Sequence, residues 1–396
     1  MIKNALDEQY KAEIIQEISK LLKERYIFPK VAQKIIEEFK ADFKNGEYDD
    51  IKDLPSLAIK IGKTLQEVSQ DKHLCVLFDQ GILERMFGQR NKKDEKTLEY
   101  QKEWQLGRSL NYGFVKVEIL EGNIGLIDLR RFYHTKHQEA GEAALSAMSF
   151  LKNTEAIILD LRKNGGGEPE MVQLLASYFF KNRTRLNTIE RPYEGYKEQW
   201  WTFPYIPGKP LVENDLYILT SNITFSAAED FTYALQCQNR ATVIGETTKG
   251  GAHPVDFFPV LGSLVLMLPN ARAFNTITND NWEGKGIEPD IKVSSEEALD
   301  TAYLFALEKL LKTKKMNEND HLCIKILIKE LELIKSMKQS FPSISILSKY
   351  VGNYEKARIE LRENELYYVI DGTREIKLIP LTDEVFEPEG NPNERV

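Results

Sequence analysis

The chain has 396 residues, of which 42% are hydrophobic and 29% charged, with a formal net charge of −8. That length exceeds one ordinary core and calls for two or three domains. The acidic balance, with no basic stripe and no zinc-finger spacing, argues against nucleic acid as a partner, and no apolar run is long enough to span a membrane.

The N-terminal MIKNALDEQYKAEIIQEISK is charged and lacks an apolar signal core. This leaves a cytoplasmic location, or export with a signal peptide already removed. Three cysteines, Cys75, Cys237 and Cys323, are scattered and odd in number. They make neither a disulfide framework nor a metal knuckle, and no metal or other cofactor is expected.

Residues 1–79 read as a helical domain. Ile14, Ile15, Ile18, Leu21 and Leu22 repeat at helical spacing, as do Val31, Ile35, Ile36 and Phe39, with Pro29 at the break between them. A third segment runs from Leu57 to Val68. Residues 80–111, with NKKDEK at their centre, form a polar connector. From 112 to 316, strand-like runs (123–129, 156–161, 216–220, 241–244) alternate with helix-like ones (138–151, 169–180, 227–236). That alternation predicts an α/β core with a largely buried sheet. Residues 317–396 read as a small α+β appendage: a helix over 323–337, then short alternating strands.

Four segments carry chemistry. In LYILTSNITFSAAEDFTYAL (216–235) a buried strand runs into a polar turn, and Ser226 opens a helix. Such a serine is either a helix cap or a nucleophile, with the Ala227 N–H and the helix dipole facing a developing oxyanion. In AIILDLRKNGGGEPEM (156–171) glycines follow a strand and precede a helix. They make either a tight turn or, through the Gly166 N–H, part of an oxyanion hole. The phosphate-loop and dinucleotide patterns are absent. His73 (in SQDKHLCVLF) and His253 (in KGGAHPV) are each either a structural or exposed histidine or the base that an activated serine needs. Glu283, in NWEGKGIEPDIKV, orients an imidazole, binds substrate or is a plain loop acid.

The order DKHL, DLRKNGGG, TSNITFSAAE, GETTKGGAHP, WEGKGIEPDI, with KERYIFPKVAQKI near the start, resembles the C-terminal processing (tail-specific) peptidase superfamily. It is similar to the branch of interphotoreceptor retinoid-binding protein and the tricorn core protease. The resemblance covers about residues 10–310. It implies a crotonase-like α/β core behind the helical domain, and a serine peptidase acting on a peptide or protein substrate. By that match Ser226 is the nucleophile, Gly166 and Ala227 form the oxyanion hole, His73 is the base and Glu283 supports it. His253 is then a substrate contact or the alternative base. The lysine that serves as base in the tail-specific branch falls at Gly251, which disfavours a Ser–Lys dyad. The tricorn-like serine before the histidine is Lys72, with Asp71 a candidate to orient the ring. The stretch 80–110 is too short for the usual inserted PDZ domain. The rival readings are a catalytically silent carrier of retinoid or lipid on the same scaffold and, behind it, an acyl-CoA enzyme of the crotonase type. Oligomeric state is not legible.

Overall fold

The computed structural model describes residues 6–79, 83, 105–339, 344–354, 357–362, 364–370, 374–380 and 385–389. Most of the expected polar connector, and with it the question of an inserted domain, lies outside the described residues. The chain divides into two compact units, residues 1–306 and 307–396.

The first unit opens with α1 (Glu8–Arg25), α2 (Pro29–Lys44) and α3 (Leu54–Ser69). Asp7 caps α1 by accepting the Tyr10 N–H, and Asp53 caps α3 by accepting the Ser56 N–H. Pro29 supplies the first turn of α2, where a missing N–H costs nothing. One face of each helix is apolar, and these faces meet over Ile14, Ile18, Leu22, Ile35, Phe39, Ile61 and Leu65, all fully buried. This helical region is no free-standing bundle. Its core continues into Val260, Leu264, Leu266 and Leu268.

Those four residues belong to β9 (Val255–Val260) and β10 (Leu264–Pro269), which pair antiparallel. Helix α3 ends at Gln70, whose φ of 59° is left-handed. The chain therefore turns sharply and enters β1 (Cys75–Leu77), which pairs antiparallel with β10. The loop from Asp71 to Leu74 is pinned between a helix end and a sheet.

A six-stranded sheet forms the centre, in the order β12-β8-β7-β4-β3-β2. Its strands are β2 (Phe114–Leu120), β3 (Ile124–Leu129), β4 (Ala156–Asp160), β7 (Asp215–Thr220), β8 (Thr242–Gly245) and β12 (Ile291–Lys292). All neighbours are parallel except β2 and β3. Every residue of β4 is buried, as expected of a parallel strand covered on both faces. The crossovers carry α4 (Gln138–Phe150), α5 (Pro169–Ser177) and α6 (Ala227–Cys237), whose apolar faces close the main core. A smaller antiparallel sheet joins β5 (Arg185–Arg191), β6 (Tyr196–Trp201) and β11 (Arg272–Phe274). Nothing in the sequence pattern had marked β5 and β6 as a hairpin. Helix α7 (Ala298–Thr313) follows.

The second unit holds α8 (Glu318–Gln339), the short α9 (Ile344–Leu347) and a five-stranded antiparallel meander, β13 to β17, over 352–388. Its core is Leu347, Ile359, Leu366, Leu378 and Phe386. Among the described residues no helix is long and apolar enough to cross a membrane.

Candidate active site

Strands β4 and β7 are parallel neighbours, so their carboxyl ends open side by side, where α/β sheets place ligands. The turn after β4 carries Gly166 and the turn after β7 carries Ser226. The Phe225 N–H donates to Asn164 O at 3.1 Å and knits the two turns together. Gly166 has φ +102°, and a Cβ built on it would lie 2.7 Å from Ser226 Cβ and 3.0 Å from Ala227 N. The glycine is required there because nothing larger fits against the serine. Its N–H donates to Asn164 Oδ1 at 2.8 Å, so one of the two expected oxyanion donors is already engaged.

Ser226 is the N-cap residue of α6, with φ 55° and ψ −119°. A non-glycine residue in that region is strained, and such strain persists only where the surroundings over-determine it. Here Glu229 does so. Its carboxylate is fully buried and accepts four hydrogen bonds: from Ser226 N (2.8 Å), Gly251 N (2.9 Å), Gly250 N (2.6 Å) and Thr248 Oγ1 (2.5 Å). Burial pushes its pKa up, and these four donors oppose the rise. Glu229 thus ties the serine's backbone to the loop after β8. The Ser-x-x-Glu spacing of a capping box was the signal for it in the sequence.

His73 comes from the far side, on the loop between α3 and β1. Its ring packs on Phe225, the residue before Ser226, with centroids 4.4 Å apart. Gly251 makes room for this pair. A Cβ at Gly251 would stand 2.2 Å from Phe225 Cε2 and 2.6 Å from His73 Cε1. The imidazole therefore occupies space that any side chain at 251 would claim. Burial pulls the His73 pKa down to about 4; Asp71 opposes this, while His253 and Lys249 reinforce it. Among the described residues the buried Nδ1 has no hydrogen-bond partner.

Asp71 holds the His73 backbone rather than its ring: Oδ1 accepts the His73 N–H at 3.0 Å. Asp71 Oδ2 accepts Tyr26 OH at 3.3 Å and lies 3.4 Å from His253 Nδ1. On the other side of that nitrogen, at 3.2 Å, is Glu283 Oε2, which also accepts the Ala252 and His253 N–H groups at 2.6 and 3.3 Å. Glu283 thus reaches His253 and, through Asp71, the loop of His73. Burial and then the Asp71 charge push its pKa up, against the pull of His253. The His253 side chain is only 2% exposed, which leaves little surface for touching a substrate. The donor atoms of Asp71, His253 and Glu283 lie within 4.8 Å of one another, close enough to share a metal ion; Glu283 Oε1 is buried and has no hydrogen-bond partner among the described residues.

The structure therefore brings Ser226, Ala227 and Gly166 together at the strand ends, seats the His73 ring on Phe225, and sets His253 with Glu283 behind Asp71.

The profile of peptidase family S41 matches residues 123–293, and that of the N-terminal domain of this family in eukaryotic interphotoreceptor retinoid-binding protein matches residues 8–105. A Staphylococcus aureus protein (strain COL), provisionally named a CtpA-like serine protease, is 28% identical over 179 residues, 44% of this chain and 34% of its own length. A Staphylococcus saprophyticus counterpart is 26% identical over 172 residues, 43% of this chain and 34% of its own. The alignments thus span about a third of these curated relatives. A solved structure from Parabacteroides merdae, provisionally named a peptidase, is similar with a TM-score of 0.55 at 18% identity, over 77% of this chain and 99% of that one. A lipoprotein from Streptococcus agalactiae gives 0.51 at 16% identity, over 76% and 96%. At these identities the likeness is one of fold.

Proposed function

Since the chain belongs to peptidase family S41, a family of serine-type peptidases, we propose that it hydrolyses peptide bonds with Ser226 as nucleophile and His73 as general base. The observation that supports this reading is the His73 ring seated in the space left by Gly251 and packed on Phe225, the residue before Ser226. The family match and the parallel strands with crossover helices also support a crotonase-like core.

On this reading His73 accepts the Ser226 hydroxyl proton as Oγ attacks the peptide carbonyl. The oxyanion of the tetrahedral intermediate forms where the Ala227 N–H and the positive end of α6 face it. The Gly166 N–H joins once it leaves Asn164 Oδ1. The imidazolium then protonates the departing amine, and water releases the acyl group by the reverse sequence. Glu283 supports the base indirectly, through His253 and Asp71. Lys249 makes a poor alternative base, since its ammonium stands over the Phe225 ring, 4.8 Å from the centroid. No feature of the described residues favours a silent carrier of retinoid or lipid.

The test is turnover of a peptide library by the wild-type chain and by Ser226→Ala. The variant should fold and lose at least about three orders of magnitude in rate. A folded variant with undiminished cleavage would overturn the assignment.

A further inference from the structure

Asp71, His253 and Glu283 close on one another from three separate loops: the one between α3 and β1, the one before β9, and the one between β11 and β12. His253 Nδ1 faces two carboxylate oxygens at once, Asp71 Oδ2 at 3.4 Å and Glu283 Oε2 at 3.2 Å. Both separations are long for an N–H···O bond, which clusters near about 2.9 Å. One ring nitrogen has at most one proton to offer, and without that proton its lone pair faces two anionic oxygens. Among the described residues no lysine or arginine lies within ion-pair distance of either carboxylate; His253 is the basic side chain they share. Two acids and one imidazole, almost wholly buried, leave negative charge uncompensated, and burial makes that costly.

The same distances suit a metal ion. A tetrahedral zinc site with ordinary nitrogen and oxygen bonds holds its ligand atoms about 3.3 Å apart. Both contacts of His253 Nδ1 have that length, and all three donor atoms lie within 4.8 Å of one another. Glu283 Oε1, buried and without a hydrogen-bond partner among the described residues, adds a free lone pair at the same place. The ligands are also held from behind, as ligands of a metal need to be. Asp71 Oδ1 accepts the His73 N–H at 3.0 Å, and the Glu283 N–H donates to Asn281 Oδ1 at 3.1 Å. Trp282 Nε1 donates to Gly251 O at 2.8 Å and ties the loop of Glu283 to that of His253. A proton satisfies one of the facing oxygens; a divalent cation satisfies the nitrogen and both.

We propose that Asp71, His253 and Glu283 bind one zinc ion, which fastens the loop of His73 to the loops of His253 and Glu283. Imidazole in the donor set favours zinc over magnesium or calcium, which take oxygen ligands. The scattered cysteines bear only on thiolate sites, and these three ligands share no short spacing that a motif could reveal. The ion is structural: it takes the place of the Nδ1 proton and neutralises the two acids. The proposal does not depend on Ser226 and His73 being the catalytic pair.

The experiment titrates the full chain, freed of metal with a chelator, with zinc against a chromophoric competitor at neutral pH, and follows thermal unfolding with and without zinc. Wild type should take up a single saturable equivalent that excess magnesium or calcium does not displace, and its unfolding temperature should rise. Asp71→Asn, His253→Gln and Glu283→Gln keep size and shape. Each should weaken zinc binding by at least about a hundredfold, since loss of a group merely supporting a ligand already costs tenfold to a hundredfold, and zinc should no longer raise its unfolding temperature. His134→Gln removes a histidine that pairs with Glu170 elsewhere, at 3.7 Å, and should bind zinc as wild type does. Should a variant not fold, cobalt bound to wild type decides: the visible bands of a tetrahedral nitrogen and oxygen site support the proposal, and intense thiolate bands overturn it. No saturable equivalent in wild type, undiminished binding in the folded ligand variants, or loss of binding in His134→Gln would each overturn it as well.

Discussion

The seats of Ser226 and His73 are built on different principles. Ser226 is held by backbone geometry: two parallel strand ends, a helix start, a positive φ and the Glu229 carboxylate across the turn. His73 is held by packing and charge: a left-handed helix end, a short strand paired with β10, the Phe225 ring and a buried acid–histidine–acid cluster. The residues that shape the backbone at Ser226, the proposed nucleophile, lie mostly within a few residues of β7, with the turn after β4 packed against them. The base's seat joins four distant segments. A turn can thus be made rigid by a capping bond, while His73, the proposed base, is brought in from a distant segment and kept in place by shape.

The glycine at 251 gives the sharpest way to break that contrast. Gly251→Ala would put a methyl within 2.2 Å of Phe225 and 2.6 Å of His73, so both rings must move. A displacement near 1 Å is expected to lower kcat by about a hundredfold, while the buried sheet keeps the fold. Steady-state kinetics on the folded variant checks this; an unchanged kcat would mean that the ring position is not what sets the rate.

Removal of the carboxylate at 229 loads the other seat. Glu229→Gln faces an amide NH₂ toward N–H donors and leaves at least one of them unsatisfied. A loss of about 1–3 kcal/mol in unfolding free energy is expected, read as a lower urea midpoint, together with a fall in kcat as the Ser226 backbone relaxes. If stability held and only KM rose, Glu229 would belong to substrate binding.

The smallest effect is one of pH. As the proposed base, His73 would act only when neutral, and burial holds its folded pKa at about 4, below the usual value of 6.5. Activity should therefore persist below pH 6, with kcat/KM lost as pH falls through about 4. Stability follows the same sign: between about 4 and 6.5 the unfolded chain binds the extra proton, so this group's contribution falls as pH is lowered. Lys249→Gln should move the acid limb upward, because that lysine is one cause of the depression. An acid limb at the ordinary histidine value would contradict the burial argument.

Much of this architecture was legible in the residues. Strands β3, β4, β7 and β8 and helices α4 to α6 are apolar runs and amphipathic stretches of the expected length, and they form almost where the pattern places them. The β5–β6 hairpin was not legible, because YEGYKEQWW mixes aromatic and charged residues without one buried face. The sharing of a core between the N-terminal helices and β9–β10 depends on pairing between Cys75 and Met267, and no local pattern encodes that. Ser226, Gly166 and His73 were singled out through the order of motifs. Glu229 could have been read from its spacing to Ser226. The link from Glu283 to His253 and on to Asp71 arises only when three loops close on one another. His253 consequently changes from an expected substrate contact to a proposed positioning residue.

The central claim is that His73, and not His253, takes the proton from Ser226. Its most direct test is the rate at which a neutral fluorophosphonate labels Ser226 in wild type, His73→Ala and His253→Ala at neutral pH. The account predicts a fall of about a hundredfold or more in His73→Ala, as loss of a general base entails, and a clearly smaller fall in His253→Ala. Labelling at the wild-type rate in His73→Ala, with none in His253→Ala, would contradict it.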